Sequence, residues 1–246
     1  MQGTAWLILP TFNEAANIAA VVEAARVALE ACAPGAHRIL IVDDASPDGT
    51  GAVADRLAGE HEDVEVLHRA SRQGLGPAYL AGFRRALAGG AAYVFEMDAD
   101  FSHDPADLGR LLAAVEDGAD VALGSRYVDG GGVEDWGLLR RLVSRGGCVY
   151  ARTVLGLPVH DLTGGFKCFR REVLEAIELD NVRSHGYSFQ IELTLRAIEQ
   201  GFVVREVPIV FRDRQHGHSK MSPWIALEAI VVVPALRHSG RRADGR

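Results

Sequence analysis

The stretch VFEMDADFSHDP, Val94–Pro105, sets an apolar run against Glu96, Asp98, Asp100 and Asp104. Read as a strand whose carboxyl end carries the acids, it raises the question of what compensates them. Crowded carboxylates repel and favour protonation unless a cation or hydrogen-bond donors intervene. Outward from this stretch, similar aliphatic runs recur as AWLIL (5–9), RILIV (38–42), VEVLH (64–68), AAYVFEM (91–97) and DVALG (120–124). They are short and rich in aliphatic and β-branched residues, as buried parallel strands are. Between them Ile18, Val21, Val22, Ala25 and Leu29 follow helical spacing after an Asn13 cap, and 75–87 and 105–115 behave alike. This alternation predicts an α/β fold, a Rossmann-like, mainly parallel sheet flanked by helices, with ligands at the carboxyl ends of its strands. That edge collects PTFNE (10–14), DDASPDGTG (43–51) and DADFSHD (98–104).

Farther along, YVDGGGVEDW (127–136) reads as a mobile loop rich in glycine and acid. Helical patterns at 138–155 and 189–199 flank an irregular DLTGGFKCF, and FVVREVPIVF is strand-like. No internal repeat is present, and the polar end 239–246 is expected to fray.

Composition narrows the function classes. The 246 residues carry a formal net charge of −7, which argues against nucleic acid as the main partner. From Arg205 onward the balance reverses, with eight Lys or Arg against four Asp or Glu, the mark of an anionic ligand or a lipid surface. Cys32, Cys148 and Cys168 are odd in number, without a CxxC, which points to reduced, buried thiols in the cytosol. The N-terminus lacks the basic start and long apolar core of a signal peptide. PWIALEAIVVVPAL (223–236) holds Glu228 and Pro234 and falls short of the roughly 20 residues that span a bilayer. It is expected to lie on a membrane or pack in the core, not to cross.

Asp98 and Asp100 sit at alternate positions at a strand end, so a local turn lets their oxygens converge on one hard cation, Mg²⁺ or Mn²⁺, that keeps sites open for phosphate. Ser102 could add a third, weaker oxygen. The competing reading is a solvated acidic turn, and in either case Asp104 caps the helix that starts at Pro105. Asp43 and Asp44 end the second strand, where a carboxylate accepts from a base N–H or a ribose hydroxyl, while Gly49 and Gly51 permit a tight turn. Asp48 either joins that donor site or closes an Asx turn. No GxGxxG follows the first strand, which weighs against a dinucleotide oxidoreductase.

LPTFNEAANI, VDDASPDGTG, RQGLGPAYLAGF, EMDADFSHDP, GSRY, DLTGGFKCF, GYSFQIE and HGHSKMS stand in one order from Leu7 to Ser222. In this the chain resembles the dolichyl- and polyprenyl-phosphate mannose synthases, family-two glycosyltransferases of GT-A fold. The resemblance implies a catalytic domain over 1–222, followed at 223–246 by an amphipathic or core helix and a basic tail. It also implies GDP-mannose as donor, a polyprenyl or dolichyl phosphate as acceptor, and inversion at the sugar. The enzyme would work at the cytoplasmic membrane surface, held by its C-terminal segment or by a membrane-anchoring partner protein. Pro10, Thr11, Phe12, Glu14, Asp43, Asp44, Asp48, Gly74, Asp98, Ala99 and Asp100 would then hold the donor, and Asp98, Asp100 and Ser102 the metal.

An acceptor phosphate is already anionic, so it needs cations for positioning rather than a strong base. Arg126, Arg140 or Arg141, Ser144, Arg214 and Lys220 are the candidates, with Asp98, Asp100 and Arg126 as the catalytic set. Arg126 could instead pair at the surface with Glu134 or Asp135, and adjacent Arg140 and Arg141 cannot both face the site. Gln190 and Glu192 are assigned to sugar hydroxyls or metal. His216 and His218 form an HxH without evident further ligands, better suited to phosphate or water than to zinc. The QxxRW signature of the polymerising synthases is missing. Three alternatives stay open: a UDP-glucose-dependent transferase, a nucleotide-sugar-binding module without turnover, and a peripheral membrane adaptor.

Overall fold

The computed structural model describes residues 3–182, 184, 186–213 and 232–237. Strands β1 (Thr4–Thr11), β2 (His37–Asp43), β3 (Val64–His68), β4 (Ala91–Glu96) and β5 (Val121–Ser125) fall on the five aliphatic runs. Helices α1 (Ile18–Cys32), α2 (Thr50–Glu60), α3 (Leu75–Ala88) and α4 (Leu108–Glu116) connect them. The second half adds β6 (Gly132–Val133), α5 (Leu138–Leu155), β7 (Lys167–Arg170), α6 (Arg171–Ala176), α7 (Gly186–Glu199), β8 (Val204–Pro208) and β9 (Val210–Phe211). The main sheet runs β3-β2-β1-β4-β7-β5-β8. Every pairing in it is parallel except those of β7, which is antiparallel to β4 and β5.

Alternation along β1 divides the core. Leu7 and Leu9 face α1 and α4, joining Val21, Val22, Leu29, Leu111 and Leu112. Trp6 and Ile8 face the other side, with Tyr79 and Phe83 of α3 and Phe189 and Leu193 of α7. Successive side chains of a strand point to opposite faces, so a sheet buried on both faces is apolar at every position. Gly82 lets α3 approach closely, because a Cβ there would stand 2.4 Å from Ile8 Cγ2.

The structure departs from the sequence reading in four places. Asn13 does not cap α1: it sits in the left-handed region at φ 59°, its N–H donating to Ser46 Oγ at 3.1 Å, and a turn intervenes before the helix starts at Ile18. The segment read as a mobile loop contains β6, paired with β9, and a buried Trp136. Part of the irregular DLTGGFKCF is β7, inserted mid-sheet. FVVREVPIVF divides into β8 on the main sheet and β9 on the small one. The Asp104 cap is as expected, its Oδ1 accepting the Ala106 N–H at 3.0 Å before Pro105.

Among the described residues no helix is long and apolar enough to cross a membrane. Residues 232–237 are helical, with Val233 buried against Leu123, Ile191 and Leu195 and Leu236 packed alongside. That end of the C-terminal segment therefore packs on the core. Trp224, Ile225, the 222/223 boundary, Arg214, His216, His218 and Lys220 lie outside the described residues.

Candidate active site

A cavity of about 670 Å³ opens at the carboxyl ends of β1, β2 and β4 and runs beneath α5. Pro10, Thr11, Phe12, Glu14, Asp44, Gly74, Asp98, Ala99 and Asp100 line it, as do Arg126, Arg140, Ser144 and Gln190. Asp43, Asp48, Ser102, Arg141 and Glu192 do not.

The two loops after β1 and β2 are bound to each other. Asp48 Oδ1 accepts from the Thr50 N–H and hydroxyl, and Oδ2 accepts the Ala15 N–H at 3.1 Å. The Glu14 N–H in turn donates to Thr50 Oγ1 at 2.9 Å. Burial would raise the Asp48 carboxyl, but these donors outweigh it and hold it below its ordinary range. Asp48 thus closes the Asx turn that was its alternative reading and ties the two loops together, outside the cavity lining. Gly49, at φ 94°, makes the turn, and a Cβ on Gly51 would lie 3.0 Å from Asp43 Oδ2.

Asp43 and Asp44 separate in role. Asp43 turns inward, accepting the Ser46 N–H, with His68 3.6 Å away. Asp44 faces the cavity and gathers Arg69 and the backbone N–H groups of Gln73 and Gly74, the last at 2.7 Å. It shapes the loop before α3, where Arg72 stacks over Phe12 with its guanidinium carbon 3.9 Å from the ring centroid.

At the end of β4, the Asp98 N–H reaches His103 Nδ1 at 3.4 Å, and the Tyr79 hydroxyl lies 3.5 Å from Asp98 Oδ1. His103 is packed on Phe166 and Phe211. Burial, with Arg126 and Lys167 nearby, pushes its imidazole down to about 4. Asp100 Oδ1 accepts the Ser102 N–H at 3.0 Å across a turn in which Phe101 has φ 61°. This kink brings both aspartates to one cavity wall. Two carboxylates on a wall open to ligand oxygens suit a hard divalent cation that takes its remaining ligands from a diphosphate. No group of three His, Cys, Asp or Glu able to hold a metal occurs among the described residues. Ser102, expected at the metal, lies behind Asp100 with its Oγ buried and without a partner among the described residues.

Arg126 is not a surface residue. Its Nε and Nη2 clamp Asp161 at 2.7 and 2.6 Å, and Nη2 also reaches Thr163. The partner is Asp161 rather than Glu134 or Asp135, and both members are buried. Burial opposes both charges, yet their mutual attraction wins: the arginine is raised and the aspartate held below its usual range. Arg140 turns inward and Arg141 outward to the Val133 carbonyl, as their adjacency requires. Arg140 Nη1 binds both oxygens of Asp213, and its guanidinium stacks 4.1 Å from Trp136. Arg140 Nε and Trp136 Nε1 are both buried without a partner among the described residues. Two neighbouring orphan donors in a cavity wall mark where an anion is welcome, since such groups are normally satisfied. Ser144 sits beside them, accepting from the Tyr127 hydroxyl at 2.7 Å.

The floor holds a buried ion pair invisible in the sequence. Lys167 Nζ donates to Glu96 Oε1 at 2.8 Å and to Gln190 Oε1. Burial lowers the lysine and raises the glutamate. Glu192 faces elsewhere, accepting from Ser184 N–H and Arg196.

The family model described as "Glycosyl transferase family 2" matches residues 6–178. The chain belongs to glycosyl transferase family 2. It is 50% identical to a polyprenol monophosphomannose synthase of Mycolicibacterium smegmatis over 97% of this chain and 89% of that protein. It is 45% identical to an undecaprenyl-phosphate mannosyltransferase of Micrococcus luteus, covering 96% of each. Among solved structures, glucosyl-3-phosphoglycerate synthase of Mycobacterium tuberculosis superposes with a TM-score of 0.70 at 19% identity, over 96% of this chain and 81% of that one. The same synthase in complex with Mn²⁺ and UDP-glucose gives 0.69 at 20% identity, over 97% and 80%. At that identity the likeness shows the fold, which is the GT-A arrangement expected from the sequence.

Proposed function

We propose that this family-two transferase moves mannose from GDP-mannose to a polyprenyl phosphate, with inversion at the sugar. The observation that carries the reading is near-full-length identity of 50% and 45% to two polyprenyl-phosphate mannosyltransferases. The cavity supports it by joining the Asp98–Asp100 wall to the orphan donors of Arg140 and Trp136. Phe12, Arg72, Asp44 and Gly74 hold the nucleoside end, and Asp98 and Asp100 are the residues that would hold Mg²⁺ or Mn²⁺. When bound, the cation supplies positive charge to the departing diphosphate. Arg140, Trp136, Ser144 and the Nη1 edge of Arg126 orient the acceptor phosphate, whose own oxygen attacks the anomeric carbon. No side chain has to remove a proton, because the nucleophile is already anionic.

The acceptor's isoprenoid must stay in a bilayer while its phosphate reaches this cavity. Helix α5 meets that need. It lines the cavity through Arg140, Val143, Ser144 and Gly147, yet exposes Leu138, Leu139 and Leu142 by 70 to 79%. Arg141 and Arg145 stand exposed among them. Apolar side chains flanked by arginines are what an interfacial helix presents to anionic lipid.

The test is a mass spectrum of the products formed from GDP-mannose and polyprenyl phosphate, with UDP-glucose in parallel. A mannosyl phosphoryl polyprenol supports the reading. A glucosyl product reassigns the donor, and no product from either reduces the chain to a binding module.

A further inference from the structure

The half of α5 that carries Arg140 and Ser144 has no buried anchor. From Leu138 to Gly147 every residue is at least partly exposed, and the buried residues of the helix, Cys148 and Ala151, come after. Gly146 and Gly147 stand between the two halves, where an added Cβ would meet nothing within 4 Å. Glycine inside a helix is destabilising relative to alanine, so this pair is a soft point that no close packing requires. Polar contacts hold the forward half instead. Arg141 reaches the Val133 carbonyl at 3.1 Å, Arg140 binds the partly exposed Asp213, and Ser144 meets the Tyr127 hydroxyl at 2.7 Å. The last contact differs in where it leads. Tyr127 directly follows Arg126 just past the end of β5, its N–H donating to Ser125 Oγ at 3.3 Å and its ring centroid 5.2 Å from the Arg126 guanidinium carbon. Arg126 and Ser144 line the cavity, whereas Tyr127 does not.

A hydroxyl carries one proton and two acceptor sites, so of two facing hydroxyls one donates and the other keeps its proton. Burial raises the Tyr127 phenol above its ordinary value, against the lowering effect of Arg126 and Ser144, so it remains a donor at neutral pH. Ser144, accepting from it, has its own proton left for an anion in the cavity. We propose that Tyr127 is a positioning residue for the acceptor phosphate: its hydroxyl fixes Ser144, and with it the forward half of α5, at a set distance from Arg126. The inference rests on the acceptor site proposed above. Arg126 and Ser144 belong to different elements, and the Tyr127 bond makes their spacing a property of the fold rather than of the ligand. Donors fixed beforehand bind an anion without the ordering cost that a loosely held helix end would add.

Steady-state kinetics on the full chain with Mn²⁺ test this, polyprenyl phosphate being varied at saturating GDP-mannose, or at saturating UDP-glucose if that is the donor the wild type uses. The variants are Tyr127→Phe, Ser144→Ala and the two combined. Tyr127→Phe keeps the ring beside Arg126 and deletes only the hydroxyl. Ser144→Ala should raise the KM for polyprenyl phosphate about tenfold, as loss of one hydrogen bond to a charged group does, and Tyr127→Phe about fivefold. The double variant should match Ser144→Ala alone, because the tyrosine acts through the serine. Calorimetry should find the nucleoside diphosphate bound within about twofold of wild type in all three, since distant sites act independently. An unchanged KM in Tyr127→Phe overturns the proposal. So does a double variant whose effect is the product of the single ones, which would make Tyr127 an independent contributor. A parallel loss of nucleoside diphosphate affinity overturns it too, and would make Tyr127 a packing residue. Wild type that turns over polyprenyl phosphate with neither donor removes the acceptor site and the proposal together, whereas failure of the proposal alone shows only in the variants of an active enzyme.

Discussion

Asp98 and Trp136 represent two kinds of residue, one announced by its neighbours in the chain and one by its neighbours in space. The DxD pattern singles out Asp98 and Asp100 in the sequence, and the structure sets both on the cavity wall. Replacing either with Ala should lower turnover at least about a hundredfold, as loss of a key electrostatic stabiliser does, and EDTA should abolish activity. Full turnover in EDTA would remove the metal from the account. Trp136 lay in a segment read as a loop, and nothing in YVDGGGVEDW tells that its indole is buried between Phe211 and Arg140. Trp136→Phe keeps an aromatic ring on Arg140 and deletes only the orphan N–H. It should raise the KM for polyprenyl phosphate about tenfold while leaving GDP-mannose binding intact, on the scale of one hydrogen bond to a charged group. Loss of both affinities together would make Trp136 a packing residue. Asp161 and Lys167 were missed for the same reason: their partners Arg126 and Glu96 are 35 and 71 residues away. Pattern reading sees local spacing, whereas a buried charge is licensed by a tertiary partner.

Among the elements, legibility followed length and locality. β1 to β5 and α1, α3 and α4 announce themselves by composition and period, and α5 by helical spacing. β7 does not, because its four residues include Lys167 and Arg170, whose charges argue against a central strand until the pairing with β4 is known. β6 and β9 have two residues each and exist only through one another. Helical spacing shows α5 as a helix but not which of its faces stays exposed, and that face carries Leu138, Leu139 and Leu142. Changing Leu138, Leu139 and Leu142 to Gln should leave the melting temperature nearly unchanged, since exposed positions contribute little to the core. Liposome association should fall, and activity on a long-chain polyprenyl phosphate should drop more than on a short soluble analogue. Equal loss on both acceptors would place the lipid contact elsewhere.

At the scale of the whole molecule, the second half is fastened to the sheet by buried charge as well as by apolar packing. The Arg126–Asp161 clamp ties the end of β5 to the segment leading into β7, beneath the cavity. Removing one partner of a buried pair leaves the other uncompensated, so Asp161→Asn should destabilise the fold by about 3–5 kcal/mol at neutral pH. The pH dependence has a definite sign. Burial raises the Asp161 carboxyl, but Arg126 more than offsets this and holds it below the ordinary value, which for Asp is about 3.9. A carboxylate depressed on folding contributes stability that is complete above its unfolded pKa and is lost as pH falls through the folded one. The Asn variant has no such contribution to lose. Urea midpoints should therefore differ by a constant amount between pH 7 and pH 5 and draw together as pH falls below about 4, where the unfolded carboxyl takes up protons first and the folded pair only at lower pH. Asp63, depressed by Arg26 and His37, and Asp48 belong to the first half of the chain and should add to the acid sensitivity of wild type and variant alike. A gap that persists undiminished to pH 3 would mean that Asp161 acts through shape and neutral hydrogen bonding, and the clamp would then have no electrostatic share in holding the cavity together.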